Sequence, residues 1–198
     1  MTHDAQVETQ QHAIAITDPP IARFLLTDVR VAWLLLPLRL WVGWQWLSAG
    51  WEKFQNPAWI QSGSALQAFW AKAGTTGVTF DWYGSFLQLL LNAQAYVWFG
   101  KLVTFGEMAI GLGLILGAFT GLAAFFGGFM NLNFIMAGSA SSNGLLFAAA
   151  TILVLSWKTA GWIGLDRWLL GTLGTPWRPG RLLSPEEDGK LIHVRRAA

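Results

Sequence analysis

The chain of 198 residues contains no cysteine, and its three histidines, His3, His12 and His193, all lie close to the chain ends. Without cysteine the chain has no disulfide, no thiolate-ligated metal and no redox-active thiol. Because no histidine falls in the long middle of the sequence, a haem held by two histidines inside a membrane is excluded as well. We therefore expect no haem and no metal ion.

Charge is also scarce. Charged residues make up 12% of the chain and the net charge is +2, whereas soluble domains carry about 25% charged residues. The basic residues lie mainly towards the two ends, so nothing favours a nucleic-acid partner. Apolar residues instead reach 54%, with 13 tryptophans, and tryptophan prefers the membrane–water interface. This composition predicts an integral membrane protein whose main partner is the lipid bilayer.

Four apolar runs predict four membrane-spanning helices, since about 20 helical residues cross the hydrocarbon core. We expect these helices at residues 31–54, 97–118, 121–137 and 145–162, with the break between the second and third at Gly117–Gly121. The connection 55–96 contains turn signals and two amphipathic stretches, at 64–73 and 82–91, which predict short interfacial helices folded over the bundle end. The predicted fold is thus all-α, an integral membrane four-helix bundle.

The distribution of Lys and Arg predicts the orientation. The N-terminal segment holds Arg23 and Arg30 and the C-terminal segment holds seven basic residues, whereas the long connection and its flanks hold three. By the positive-inside rule both tails, 1–30 and 171–198, are cytoplasmic. The transmembrane domain then covers residues 31–170, the loop 55–96 lies outside, and the protein is a multi-pass protein of the cell (inner) membrane.

Polar residues inside the apolar runs are the first candidate site. Arg39, Glu107 and Asn131 each lie on a helix face of small residues, and depth counted from the helix ends puts them near one level. An unpaired charge there costs at least about 2.5–3.5 kcal/mol, so Arg39 and Glu107 are expected to pair, with Asn131 and Asn133 nearby. Two interpretations stay open: an ion pair that only fixes helix packing, or a polar pocket that binds or protonates a small ligand.

A second cluster, formed by Glu52, Lys53 and Lys101, is expected at the outer end of the first two long helices. These side chains either reach towards water as an interfacial ion pair or form a mouth that attracts an anionic substrate. The tryptophans around them are either interfacial belt residues or rings that stack on a quinone.

Several segments together resemble the DoxX family. Arg39-Leu-Trp-Val-Gly43 followed by Gly50-Trp-Glu-Lys53 resembles the first helix of that family, and Gly106–Phe134 and Ala160–Leu169 resemble its later helices. The loop segments Asn56–Trp59 and Trp82–Leu87 are closer to the DoxD branch, named for a membrane subunit of thiosulfate:quinone oxidoreductase. The resemblance covers about residues 31–170. It implies a four-helix membrane protein linked to quinone chemistry, with a second protein subunit and thiosulfate oxidised to tetrathionate.

Three functions remain as expectations. The first is a membrane subunit of a quinone-linked oxidoreductase, with Glu107 as proton carrier, Arg39 as its charge partner or a donor to quinone, and Asn131 or Asn133 bonded to a quinone oxygen. The second is a non-catalytic structural or assembly subunit of a larger membrane complex. The third, a small transporter or channel, fits the buried charges but lacks the inverted repeat of such proteins. The partner is another subunit or a second copy of the chain.

Overall fold

The computed structural model describes residues 19–139, 141–175 and 178–182. The regular secondary structure of this part of the chain is helical, apart from two antiparallel strands of two residues each, β1 (Gly174–Thr175) and β2 (Arg178–Pro179). The predicted all-α class is therefore confirmed. The helices are α1 Pro20–Thr27, α2 Ala32–Gln55, α3 Pro57–Ile60, α4 Ser64–Thr76, α5 Asp81–Asn92, α6 Tyr96–Leu116, α7 Thr120–Met136, α8 Asn143–Leu155, α9 Trp157–Ala160 and α10 Asp166–Leu173, with a 3-10 turn at Val29–Val31.

Helices α2, α6 and α7 begin and end within two residues of the predicted bounds, whereas the fourth predicted helix is wrong in length. α8 ends at Leu155, and the chain resumes as the short α9 after Ser156. The Ser156 hydroxyl donates to the carbonyl of Ile152 at 2.6 Å, and hydroxyl bonds of this kind bend helices. The predicted segment 145–162 is thus two helices with a break at Ser156.

Four helices form a closed ring in which α2 contacts α6, α6 contacts α7, α7 contacts α8, and α8 contacts α2. The turn between α6 and α7 is tight because Gly117 and Phe119 both adopt positive φ angles, +64° and +51°. The ring encloses one apolar core, contributed mainly by Val42, Trp46, Leu114, Ala124 and Leu153.

Glycines set the register between α2 and α6. A Cβ atom on Gly50 would lie 2.8 Å from the backbone nitrogen of Met108, and one on Gly111 would lie 2.5 Å from that of Leu47. Small residues allow such close approach of two helix backbones. The antiparallel register that results places Gly50 beside Glu107 and Gly43 beside Leu114.

The segment 55–96 packs over one end of the ring and is not a free loop. Its helices α4 and α5 share a second apolar core with the ends of α6 and α7, built from Leu66, Trp70, Tyr83, Leu87 and Ala137. Gly63 also packs directly on the backbone of Tyr96. We call this the outer end of the bundle, and the end that carries the α6–α7 turn the inner end.

Among the described residues, α6 alone is both long and apolar enough to cross a membrane, and α7 and α8 are apolar but shorter, at 17 and 13 residues. Large apolar side chains cover the outside of the ring, for example Phe105 (53% exposed), Phe125 (54%) and Leu145 (63%). The charged and amide side chains of Arg39, Glu107 and Asn131 face inward, at 2% exposure or less. Most of the two predicted tails lies outside the described residues.

Candidate functional site

The outer half of the ring contains a buried ion pair between α2 and α6. Lys53 Nζ donates to Glu107 Oε2 at 2.8 Å, and the exposed fractions of the two side chains are 19% and 1%. Side chains lean towards the N-terminus of their helix. Because α2 and α6 are antiparallel, Glu107 leans outward and Lys53 leans inward, so the two meet although Lys53 starts about one turn farther out.

The pair forms part of the wall of a cavity of about 290 Å³ at the outer end. Trp59 lies beside it, with Lys53 Nζ 5.1 Å from the centre of a Trp59 ring, a distance at which a cation is attracted to an aromatic face. Phe69 and Phe134 add apolar wall, and α8 adds Asn143. The remaining lining residues are Gln45, Trp46, Ala49, Ser139, Ser142 and Leu146.

Two buried residues near the cavity carry unpartnered polar atoms, and of the two only Trp46 lines it. Within the described part of the chain, the indole N–H of Trp46 and both amide atoms of Asn131 are buried without a hydrogen-bond partner. Trp46 Nε1 lies 3.0 Å from the place that a Cβ of Gly127 would take. Asn131 follows Gly127 by one helical turn on α7, so both residues belong to one face.

The predicted pairing of Arg39 with Glu107 is wrong. Arg39 Nη1 and Nη2 donate to the carbonyls of Ala160 and Ile163 at 2.7 and 2.8 Å. The α2–α6 register places Arg39 at the α6–α7 turn, beside Gly117, and ten residues of helix separate that turn from Glu107, about 15 Å. The depth predicted for Arg39 was wrong because it assumed that α2 and α6 end at the same level, whereas α2 extends past the α6–α7 turn at the inner end.

The inner cluster is completed by Asp166, which the sequence analysis did not select. Its carboxylate accepts from the backbone nitrogens of Phe119 and Thr120 at 2.6 and 2.8 Å, and it attracts the Arg39 guanidinium electrostatically. Asp166 therefore caps the N-terminus of α7 from a distant part of the chain. One sequence feature pointed to such a cap. The residues before α7, Gly117-Ala-Phe119, include no Ser, Thr, Asp or Asn, so the N-terminus of α7 needs a capping group from elsewhere in the chain.

Asn133 does not join Glu107. Its Oδ1 accepts from the Tyr83 hydroxyl at 3.1 Å, and its Nδ2 donates to the carbonyl of Phe129 at 2.8 Å. Burial raises the pKa of the Tyr83 hydroxyl, which keeps it protonated as a donor. This pair borders a separate apolar cavity of about 200 Å³ between α5 and α7.

The predicted outer cluster is only partly brought together. Lys53 turns inward to Glu107, whereas Glu52 and Lys101 are exposed. Glu52 borders a shallow cavity of about 190 Å³ that shares Lys53 and Trp59 with the main one. In the described ranges no group of three or more His, Asp or Glu side chains is arranged to hold a metal ion.

The arrangement at the outer end can hold a small ligand between a buried charge pair and aromatic rings, with a carboxylate in reach for proton transfer. Comparisons of the chain with protein families, with characterised proteins and with solved structures found no match. The functional argument therefore depends on the cavity, the charges around it and the sequence resemblance described above.

Proposed function

We propose that α2, α6, α7 and α8 cross the cell membrane as a four-helix bundle with both termini in the cytoplasm. The distribution of side chains supports this proposal, since Phe105, Phe125 and Leu145 are exposed while Arg39 and Glu107 are buried. Such an inverted arrangement suits an apolar solvent and would be unfavourable in water. The positive-inside rule then directs the outer end, with its cavity, away from the cytoplasm.

We propose further that the chain is the membrane subunit of a quinone-linked oxidoreductase and that the outer cavity receives the quinone head group. The observation that carries this proposal is the buried Lys53–Glu107 pair in the wall of a cavity of about 290 Å³. Ligand pockets are commonly mostly apolar, with a few convergent polar groups. A planar ligand with oxygen atoms fits beside the rings of Trp59 and Phe69 and the unpartnered N–H of Trp46. The tail of the quinone would extend into the lipid.

Two residues have roles in this chemistry. Quinone supplies two-electron redox chemistry when bound, with proton exchange at its oxygens. Lys53 holds a ligand oxygen by an N–H bond and balances negative charge there. Glu107 Oε2, which accepts a hydrogen bond from Lys53 Nζ, moves a proton to or from that ligand oxygen. By the DoxD resemblance, the two electrons would come from two thiosulfate ions as they join into one tetrathionate, and a second subunit would be required.

Co-purification tests the proposal. Protein extracted in mild detergent should carry quinone detectable by mass spectrometry, and Glu107→Gln in membranes should lose quinone-dependent turnover while its protein level stays normal. Glu52→Gln, which removes an exposed carboxylate on α2, is the matched control and should retain both. Wild-type turnover in Glu107→Gln at normal protein level would rule out the role of Glu107.

A second candidate is a non-catalytic assembly subunit. The observation that favours it is that Lys53 and Glu107 already satisfy each other at 2.8 Å, as a pair that only fixes α2 against α6 would do. The exposed aromatic exterior would then contact a larger partner. A stoichiometric complex whose activity survives Glu107→Leu would support this function over the first.

A further inference from the structure

The strongest unexplained feature of the molecule is a group of unpartnered polar atoms in the bundle interior. Asn131 is fully buried and Trp46 is 3% exposed, and neither the amide of Asn131 nor the N–H of Trp46 has a partner among the described residues. More than nine in ten buried polar groups are hydrogen-bonded in native proteins. Arg39 Nε and Thr120 Oγ1 are also unpartnered, but they lie at the inner end. Trp46 and Asn131 both lie close to Gly127, which favours a third polar atom that bonds to both.

Trp46 and Asn131 approach each other at Gly127 on α7. Asn131 leans towards the N-terminus of α7 and so lies over the turn at Gly127. Gly127 has no side chain, and Trp46 Nε1 packs against its Cα, 3.0 Å from the position that a Cβ would take. Trp46 also lines the outer cavity, while its N–H is buried on the side of Gly127. The hairpin register, with Gly106 against Met130 and Gly113 against Ala123, puts Asn131 within about one turn of the level of Glu107.

We propose that Trp46 and Asn131 form an inner subsite of the outer cavity, which holds an oxygen atom at the end remote from Lys53. The indole N–H of Trp46 donates a hydrogen bond to this oxygen. The Asn131 amide N–H also donates to the oxygen, or, when the oxygen carries a proton, the Asn131 amide oxygen accepts from it. The same chemistry suits a ligand oxygen and an ordered water. The quinone head group of the proposed function is then held at both of its opposite oxygens. Lys53 and Glu107 hold one oxygen, and Trp46 and Asn131 hold the other. This inference rests on the proposed function.

The consequence is selectivity for ligands with oxygens at both ends of the ring. A para-benzoquinone with a short alkyl tail satisfies both subsites, whereas a phenol with the same tail satisfies one. Loss of a hydrogen bond to a ligand oxygen weakens binding by about three- to tenfold. The phenol should therefore bind several-fold more weakly than the quinone to the wild type.

The variants Trp46→Phe and Asn131→Leu remove the subsite while preserving most of the packed volume. Their matched controls are Trp44→Phe, on the exposed side of α2 at 62% exposure, and Asn133→Leu, whose amide bonds to Tyr83 and Phe129. Each protein is melted in detergent without ligand and with increasing decyl-benzoquinone, and the dissociation constant is taken from the shift. Each variant is compared with its own ligand-free melting temperature, so a change in folding does not mimic a change in binding.

We expect Trp46→Phe and Asn131→Leu to weaken decyl-benzoquinone binding by about three- to tenfold, with ligand-free melting unchanged or raised, and the two controls to bind as the wild type does. Unchanged binding in both subsite variants overturns the inference and leaves the proposed function standing. The same holds if Trp46→Phe and Asn131→Leu lower the ligand-free melting temperature and still bind quinone normally, because the oxygen is then a structural water. No binding by the wild type overturns the proposed function and the inference together.

Discussion

The two ends of the bundle contain the same kinds of residue and use them differently. At the inner end, Arg39 and Asp166 bond to backbone groups: the guanidinium to two carbonyls and the carboxylate to two N–H groups. At the outer end, Lys53 and Glu107 bond to each other beside a cavity. Charges bonded to backbone groups of other helices fix those helices in place, whereas a charge pair that lines a cavity keeps hydrogen-bonding capacity for a ligand.

The apolar layer between the ends keeps the two clusters apart. Val42, Leu114, Ala124 and Leu153 are all fully buried between them. Water and protons that reach Glu107 therefore enter through the outer cavity, and the inner cluster acts on the outer one only through the packing of the helices.

The largest expected effect is at the inner end. Asp166→Ala removes the two charge-assisted hydrogen bonds that cap α7, so the free energy of unfolding should fall by about 3–5 kcal/mol. Unfolding in mixed detergent micelles measures it. Asp166→Asn, which keeps an acceptor for the α7 amides, should lose clearly less, and equal losses would contradict the capping role.

Arg39→Lys tests the geometry of the same cluster with the charge preserved. A lysine carries its three N–H donors on one nitrogen and does not reproduce the two-nitrogen fork that bonds the carbonyls of Ala160 and Ile163. We therefore expect the loss of one charge-assisted bond, about 1.5–3 kcal/mol. The same micelle unfolding assay measures the loss. If Arg39→Lys is as stable as the wild type, the two guanidinium bonds to Ala160 and Ile163 do not contribute to stability.

Gly111→Ala tests the α2–α6 register that separates the two clusters. Its Cβ would lie 2.5 Å from the backbone nitrogen of Leu47, so the helices must move apart, at about 1–3 kcal/mol. Gly106→Ala is the control, because the nearest atom to its Cβ is the flexible Met130 sulfur at 3.7 Å. A lower melting temperature for Gly111→Ala alone is expected, and equal melting of the two variants would argue against the register.

The smallest effect is expected at the exposed charges. Glu52→Gln and Lys101→Gln remove solvent-facing charges that were predicted to attract substrate, and each should change stability by less than about 0.5 kcal/mol. If Lys101 guides an anion to the cavity, raised salt should weaken anion binding in the wild type and have little effect in Lys101→Gln. Salt titration of anion binding measures this, and the same salt dependence in both proteins would remove the guiding role.

Sequence patterns predicted the helices and their buried faces, because apolar length and the spacing of small residues are local properties. They placed Glu107 and Asn131 correctly in the interior. They failed for Arg39 because pairing depends on the relative shift of α2 and α6, which Gly50, Gly111 and the α6–α7 turn set through contacts distant in sequence. Asp166 was missed for the same reason, since the helix that it caps begins 46 residues earlier.

We propose that Lys53 and Glu107 form a ligand site and that Arg39 and Asp166 form a structural clamp. Glu107→Gln and Asp166→Asn, compared side by side, test it most directly through ligand-free melting and decyl-benzoquinone binding in the same detergent. The account predicts that Glu107→Gln melts within a few degrees of the wild type and binds at least about tenfold more weakly. Asp166→Asn should melt lower and bind normally once folded. The reverse pattern, or normal binding by Glu107→Gln, would contradict the account.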